Sequence, residues 1–280
     1  MKRIIIPTDF SAHATQAVEY CHRLFEGEEV TWVLLHTFGA DVYASAASMG
    51  LKADTSAMDT LLQASDSRLL QLKEDLQSTF GQENFTYEIV SRYDFLPEAI
   101  NFLLSEQPAF MVAMGTQGAT GAKEIFLGSN AVRIMEKVTD TAVFAIPEQA
   151  SFVTPRKIAL ATTYSHLPVD SQMEVFKHFA RVFRTEVTMI HISDEVRLNE
   201  KQVQYRNWLQ KALSDHDPAI YTLNNKHIGK AIEEYIENTS TDILGIISRK
   251  HGFFESLLKK STLKDLGYHS KIPLLVMHHQ

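Results

Sequence analysis

The stretch from Gly115 to Asn130 holds the residues best suited to chemistry. Gly115, Gly118 and Gly121 follow an apolar run, and Gly128 stands directly before Ser129. Glycine lets backbone amides approach an anion closely and takes positive φ without steric cost. A helix beginning at Ser129, with that serine able to cap it, would offer free N–H groups and the positive end of a dipole. Together these are the ingredients of a phosphate site. Tight turns alone would also employ glycines, but their clustering at the end of a strand favours phosphate. The pattern is neither a Walker A loop, since no Gly-Lys-Ser/Thr follows, nor a Gly-x-Gly-x-x-Gly fingerprint.

A carboxylate marks a second candidate position. Asp9 follows the run Ile4-Ile5-Ile6-Pro7-Thr8. There it suits a ribose hydroxyl or, alternatively, caps a helix starting near Ser11. Binding is the preferred reading. His36 ends another apolar run and reads as a hydrogen-bonded core residue rather than a catalyst. Lys123 reads as a solvated loop lysine.

The elements that must position these groups are legible as short apolar runs alternating with amphipathic stretches. Ile4–Ile6, Thr31–His36, Thr86–Val90, Phe110–Met114 and Ala142–Ile146 read as five buried strands. Helical spacing runs over Ala12–Leu24, Leu61–Ser78, Pro97–Glu106 and Ser129–Lys137. Buried strands separated by helices imply a parallel α/β sheet covered on both faces. Ligands on such sheets bind at the carboxyl ends of strands, where strand order reverses. Asp9 and Gly115 both follow strands at that edge.

The second half repeats the first. Lys2–Ser11 aligns with Arg156–Ser165, Val33–His36 with Thr188–His191, and Phe110–Met114 with Ile243–Ile247. The offset falls by about twenty between His36 and Phe110, which places an insertion in the small-residue stretch Phe38–Asp59, read as a loop and a conceivable lid. Strands are expected near Lys157–Ala161, Val187–Ile192, Ala219–Leu223, Asp242–Ile247 and Leu274–Met277. Helices are expected near Val169–Phe183, Asp194–Leu213, Ile228–Asn238 and Glu255–Leu266. Domains follow as 1–148 and 156–280, with 149–155 as a linker. The repeat loses the motif, however. Thr163 stands for Asp9, Ser248 for Gly115, His251 for Gly118, and Ser261-Thr262 for Gly128-Ser129.

Gly115-x2-Gly118-x9-Gly128-Ser129, with Pro7-Thr8-Asp9-Phe10-Ser11 and Leu34-Leu35-His36, resembles the universal stress protein family over essentially the whole chain, as a tandem whose second copy is degenerate. The resemblance implies two five-stranded parallel sheets of order 3-2-1-4-5 forming a pseudo-dimer. It implies ATP, with or without Mg2+, across the ends of strands one and four. Pro7, Thr8, Asp9 and Thr37 would lie at the ribose and base, and Gly115, Gly118, Gly128, Ser129 and Asn130 at the phosphates. Asn130 departs from the family's usual small or hydroxyl residue. The fifth strands would pair, Ala142–Ile146 with Pro273–Met277, and a homodimer is compatible with the pattern. The resemblance points to a nucleotide-binding regulatory protein of the stress response. A slow ATPase or autokinase and a nucleotide-independent interaction scaffold are the alternatives. Hydrolysis needs a base or water-positioning group, and Gln117 and Glu124 alone offer one, without motif support. No residue is assigned as catalytic.

Composition narrows the classes further. The chain has 280 residues, 45% hydrophobic and 22% charged, with a formal net charge of −7. Residues 1–150 carry ten Lys/Arg against twenty Asp/Glu. No basic cluster with interleaved aromatics stands out, so nucleic acid is not expected as a partner. A single cysteine, Cys21, excludes an internal disulfide and any cysteine-based zinc cluster. Nine of the twelve histidines, among them His191 and the terminal pair His278-His279, fall in the second half. They lack metal-ligand spacing and read as dispersed polar groups, the terminal pair as a frayed end. No apolar run approaches the length of a membrane span, and the opening run is too short for a signal peptide. The expected location is the cytoplasm.

Overall fold

The computed structural model describes residues 1–39, 55–81, 83–117, 128–192, 197–223, 228–248 and 271–279. Two compact units, Met1–Asp140 and Thr141–Gln280, divide the chain. The first carries β1 (Lys2–Pro7), α1 (Ala12–Leu24), β2 (Val30–Thr37), α2 (Thr55–Phe80), β3 (Phe85–Arg92), α3 (Leu96–Glu106), β4 (Met111–Gly115) and α4 (Ser129–Lys137). The second carries β5 (Ala142–Ile146), β6 (Lys157–Thr162), α5 (Asp170–Phe183), β7 (Glu186–Ile192), α6 (Glu200–Ala212), β8 (Ala219–Leu223), α7 (Ile228–Thr239), β9 (Ile243–Ser248) and β10 (Leu274–His278). Strand order is 3-2-1-4-5 in each repeat, β3-β2-β1-β4-β5 and β8-β7-β6-β9-β10, the order that the family resemblance implies. All pairings but one are parallel among those resolved. The exception lies within the second unit, where β5 runs antiparallel to β10 in the register Val143↔Val276.

Central strands are apolar throughout because helices cover both faces of a parallel sheet. Ile4, Ile5 and Ile6 of β1 and Met111 and Val112 of β4 are almost wholly shielded from water. Each such side chain contributes roughly 1.5–3 kcal/mol relative to exposure. Edge strands behave otherwise. β8, expected to be buried, is exposed along most of its length, with Ile220 and Tyr221 over 40% accessible. Its apolar residues read as buried from their type, but the third strand of this order lies at an edge and is paired on one side alone.

A packed aromatic cluster anchors α1 to the first sheet. The His22 ring stacks on Trp32, centroids 4.2 Å apart, and lies against Phe85 and Tyr87. His22 Nδ1–H donates to the Val18 carbonyl at 2.8 Å, leaving Nε2 to accept from the Tyr87 hydroxyl at 2.9 Å. Burial lowers the His22 pKa to about 4 and pushes Tyr87 up to about 12. The thiol of Cys21 in the same helix is buried and its pKa raised for the same reason.

Two helix starts differ from expectation. The helix expected from Leu61 begins at Thr55, inside the stretch read as a loop. The helix expected from Asp194 begins at Glu200, because Asn199 forms a reciprocal capping box with Gln202. The helix expected over Glu255–Leu266 lies outside the described residues, as does most of the insertion expected at Phe38–Asp59. His278 is not frayed: it closes β10, is 3% exposed, and donates its N–H to Gln172 Oε1.

Candidate functional site

The carboxyl ends of β1, β2 and β4 meet in the first unit. β1 lies between β2 and β4, with Pro7 opposite Leu35 and Ile5 opposite Val112. This is the switch point of the sheet, since β1 leads to β2 on one side and β4 lies on the other. Beyond β1 the chain turns sharply. The Thr8 N–H donates to the Leu35 carbonyl, and Thr8 Oγ1 accepts from the Phe10 N–H at 3.0 Å. Phe10 takes the left-handed conformation, φ 61, which is uncommon for a bulky residue and marks a held turn. Asp9 Oδ1 accepts from the Ser11 N–H, and Ser11 itself caps α1 by accepting from the Ala14 N–H. The cap therefore belongs to Ser11. Asp9 fixes the turn and remains exposed at the cleft.

On the β4 side, Gly115 closes the strand. A Cβ there would lie 3.3 Å from the His13 carbonyl oxygen, so α1 approaches the backbone closely. The next residue, Thr116, accepts the Gly128 N–H on its carbonyl at 2.7 Å, which ties the start of the glycine-rich loop to its end. Ser129 does not cap α4 as expected. Gly128 occupies the cap position, with no side-chain hydrogen bond, and Ser129 is the first helical residue. The first turn of α4 thus lines the cleft with no side-chain cap from its N-cap residue.

Pro7, Thr8, Asp9, Thr37, Gly115, Gly128, Ser129 and Asn130 line one cavity of about 150 Å³. Gly118, the remaining candidate, lies outside the described residues, as does Lys123. Ala14, His36, Leu96, Met114, Thr116 and Gln117 line the same cavity and were not singled out for binding by sequence. Two of these carried another signal: His36 as the polar end of an apolar strand, and Gln117 as a water-positioning candidate. A second cavity of about 530 Å³ adjoins the first through Thr37, Leu96 and Asn130, and carries Arg133 and Lys137 on its wall.

His36 is held by a short relay. Its Nδ1 meets Ser65 Oγ at 2.8 Å, and Ser65 Oγ meets Ser91 Oγ at 2.6 Å. Its ring packs on Phe10, centroids 4.6 Å apart, and the Arg68 guanidinium lies 4.0 Å over the Phe10 ring. Burial and then the Arg68 charge lower the His36 pKa, while Asp9 opposes them. The imidazole is thus neutral near pH 7 and firmly held. Among the described residues no group of three His, Cys, Asp or Glu side chains could hold a metal ion.

A model of the universal stress protein family matches residues 1–143. The chain belongs to the universal stress protein family. The fold of this universal stress protein recurs over its length in solved structures. A universal stress protein from Archaeoglobus fulgidus DSM 4304 is similar with a TM-score of 0.62 at 18% identity, over 99% of this chain and 98% of that one. A functionally unknown protein from Pseudomonas aeruginosa PAO1 is similar at 0.59 and 11%, over 100% and 93%. The cytoplasmic domain of a prokaryotic cation chloride cotransporter is similar at 0.58 and 9%, over 99% and 95%. At such identities these likenesses speak for the fold. Comparison with curated proteins gives no match. Among the described residues, no helix of this universal stress protein is long and apolar enough to cross a membrane.

Proposed function

We propose that the first unit binds an adenine nucleotide, ATP with or without Mg2+, and that the chain serves as a nucleotide-responsive cytoplasmic regulator of the stress response. One observation carries this reading: eight of the nine residues expected at the nucleotide line a single cavity. Chemistry supports it at both ends. The α4 N-terminus, free of a side-chain cap, offers backbone N–H groups and a positive dipole end to phosphates. Asp9, exposed at the switch point, offers a carboxylate to ribose hydroxyls. The two adjoining cavities together exceed the roughly 300 Å³ at which small-molecule sites begin. Bound nucleotide would supply the phosphate charge, and this chain would hold and orient it. The reading is of a binder rather than an enzyme. The second unit, with Thr163 in place of Asp9 and Ser248 in place of Gly115, is not expected to hold a nucleotide in this way.

The test is recovery of bound nucleotide. Denaturing the purified native chain is expected to release adenine nucleotide, identified chromatographically, or equilibrium dialysis is expected to show saturable ATP uptake. A folded chain that releases none and takes up none would contradict the proposal.

A further inference from the structure

At the carboxyl ends of β6 and β7 the second unit repeats the architecture of the first with different polar chemistry. Thr162 Oγ1 accepts from the Tyr164 N–H at 3.0 Å, as Thr8 does from Phe10. Both aromatic residues are left-handed, Tyr164 at φ 55. Tyr164 stacks on His191 with centroids 4.5 Å apart and 12° between planes, where Phe10 meets His36 at 4.6 Å. An arginine of the helix after the second strand attends each pair. Arg68 lies over Phe10, and the charge of Arg206 acts on both Tyr164 and His191.

What satisfies the polar atoms differs between the units. Strand register places Thr222 opposite His191 as Ser91 is opposite His36. With Arg68 matched to Arg206, Ser65 falls on Val203, so the serine relay is lost. His191 Nδ1 reaches the Thr162 carbonyl at 3.4 Å, and its Nε2 has no partner among the described residues. Tyr164 adds a hydroxyl that Phe10 lacks, and among the described residues neither that hydroxyl nor Arg206 Nε has a partner. Tyr164 is 1% exposed and His191 5%. Leaving buried polar groups unpaired is costly; stacking brings those of Tyr164 and His191 together, and the Arg206 charge reaches both.

The donor and acceptor pattern specifies the ligand. A carbonyl accepts only, so His191 Nδ1 carries the proton and Nε2 presents a lone pair. Arg206 Nε donates, and the Tyr164 phenol does either. The complement is a group with acceptor oxygens, one O–H and negative charge. No carboxylate opposes it where the first unit has Asp9, because Thr163 stands there. We propose that the second unit binds a small protonated oxyanion of the phosphate class, inorganic phosphate or a phosphate monoester, on Tyr164, His191 and Arg206. The degenerate half then keeps a ligand site at the sheet edge where the first unit forms its cleft. This inference stands independently of nucleotide binding by the first unit.

The test titrates inorganic phosphate into the full-length chain while ring signals of His191 and His36 are followed by NMR, assigned from His191→Gln and His36→Gln spectra. A saturable shift of the His191 signals is expected. Tyr164→Phe and Arg206→Met should each weaken it roughly tenfold or more, the size of one lost charged hydrogen bond. The His36 signals should respond to phosphate identically in wild type and both variants. Tyr164→Phe removes an unpaired hydroxyl and keeps the stacked ring, so it remains decisive if Arg206→Met fails to fold. His191 signals indifferent to phosphate would overturn the proposal. So would a shift of equal affinity in Tyr164→Phe, which would show an adventitious ion only. Glucose 1-phosphate in place of phosphate separates a monoester site from a free-phosphate site, and binding of either supports the class.

Discussion

Single residues in the first unit carry separable tasks, and substitution can part them. Asp9 both fixes the turn after β1, through the Ser11 N–H, and faces the cleft. Asp9→Asn keeps an acceptor for the turn and removes the charge. Its melting temperature should stay within a few degrees of wild type, while ATP affinity falls roughly tenfold, as for a charged hydrogen bond weakened. A fall in stability without loss of affinity would make Asp9 a turn residue alone. His22 bears on pH. Its pKa is about 4 when folded against about 6.5 unfolded, so between these values the unfolded chain binds the extra proton. Stability is fully present above pH 6.5 and declines as pH falls toward 4, by about 1.4 kcal/mol per pH unit from this group. Urea midpoints measured at pH 7 and pH 5 should show that decline, and the non-titrating His22→Gln variant should show less of it. The proton-free state of His22 was not legible from sequence. It depends on Trp32, Phe85 and Tyr87, which the fold brings in from β2 and β3.

At the scale of elements, legibility followed local signals. Ala12–Leu24, Ser129–Lys137, Ala142–Ile146 and Ala219–Leu223 match the structure end to end, because periodicity and bounding polar residues coincide there. The start of α6 was misplaced because apolar spacing continues upstream of Asn199, and the capping box overrides spacing. Asn199→Ala should accordingly destabilise the second unit by about 1 kcal/mol, read from urea unfolding. A change under a few tenths would mean that α6 is held by packing of Leu209 rather than by its cap. Exposure of β8 was illegible for a different reason: residue type reports apolarity, whereas an edge position is a property of strand order. In the cleft, Ser129 was expected to cap α4, and Gly128 takes that place instead. The identity of a helix's first residue depends on backbone geometry that a Gly-Ser pair leaves open. Ala14, Leu96 and Met114 had no signal at all, since a cavity wall is assembled from residues that are ordinary in isolation.

Across the whole molecule, one architecture is used twice with different chemistry at the sheet edge. Thr8 and Thr162, Phe10 and Tyr164, and His36 and His191 occupy matching places. The turn and the stacked ring belong to the fold, whereas Asp9 and the uncapped α4 belong to the first unit's cleft. Duplication of this kind predicts an asymmetric molecule, with a nucleotide in one half alone. Calorimetric titration of ATP with Mg2+ into the wild-type chain and a Gly128→Val variant tests this most directly. Gly128 lies at φ −59 and ψ 153, a conformation open to valine, so the variant should fold while its side chain enters the cleft. The account predicts one ATP per chain for wild type and none for Gly128→Val. A folded wild-type chain that binds no ATP, or binds two, would contradict it.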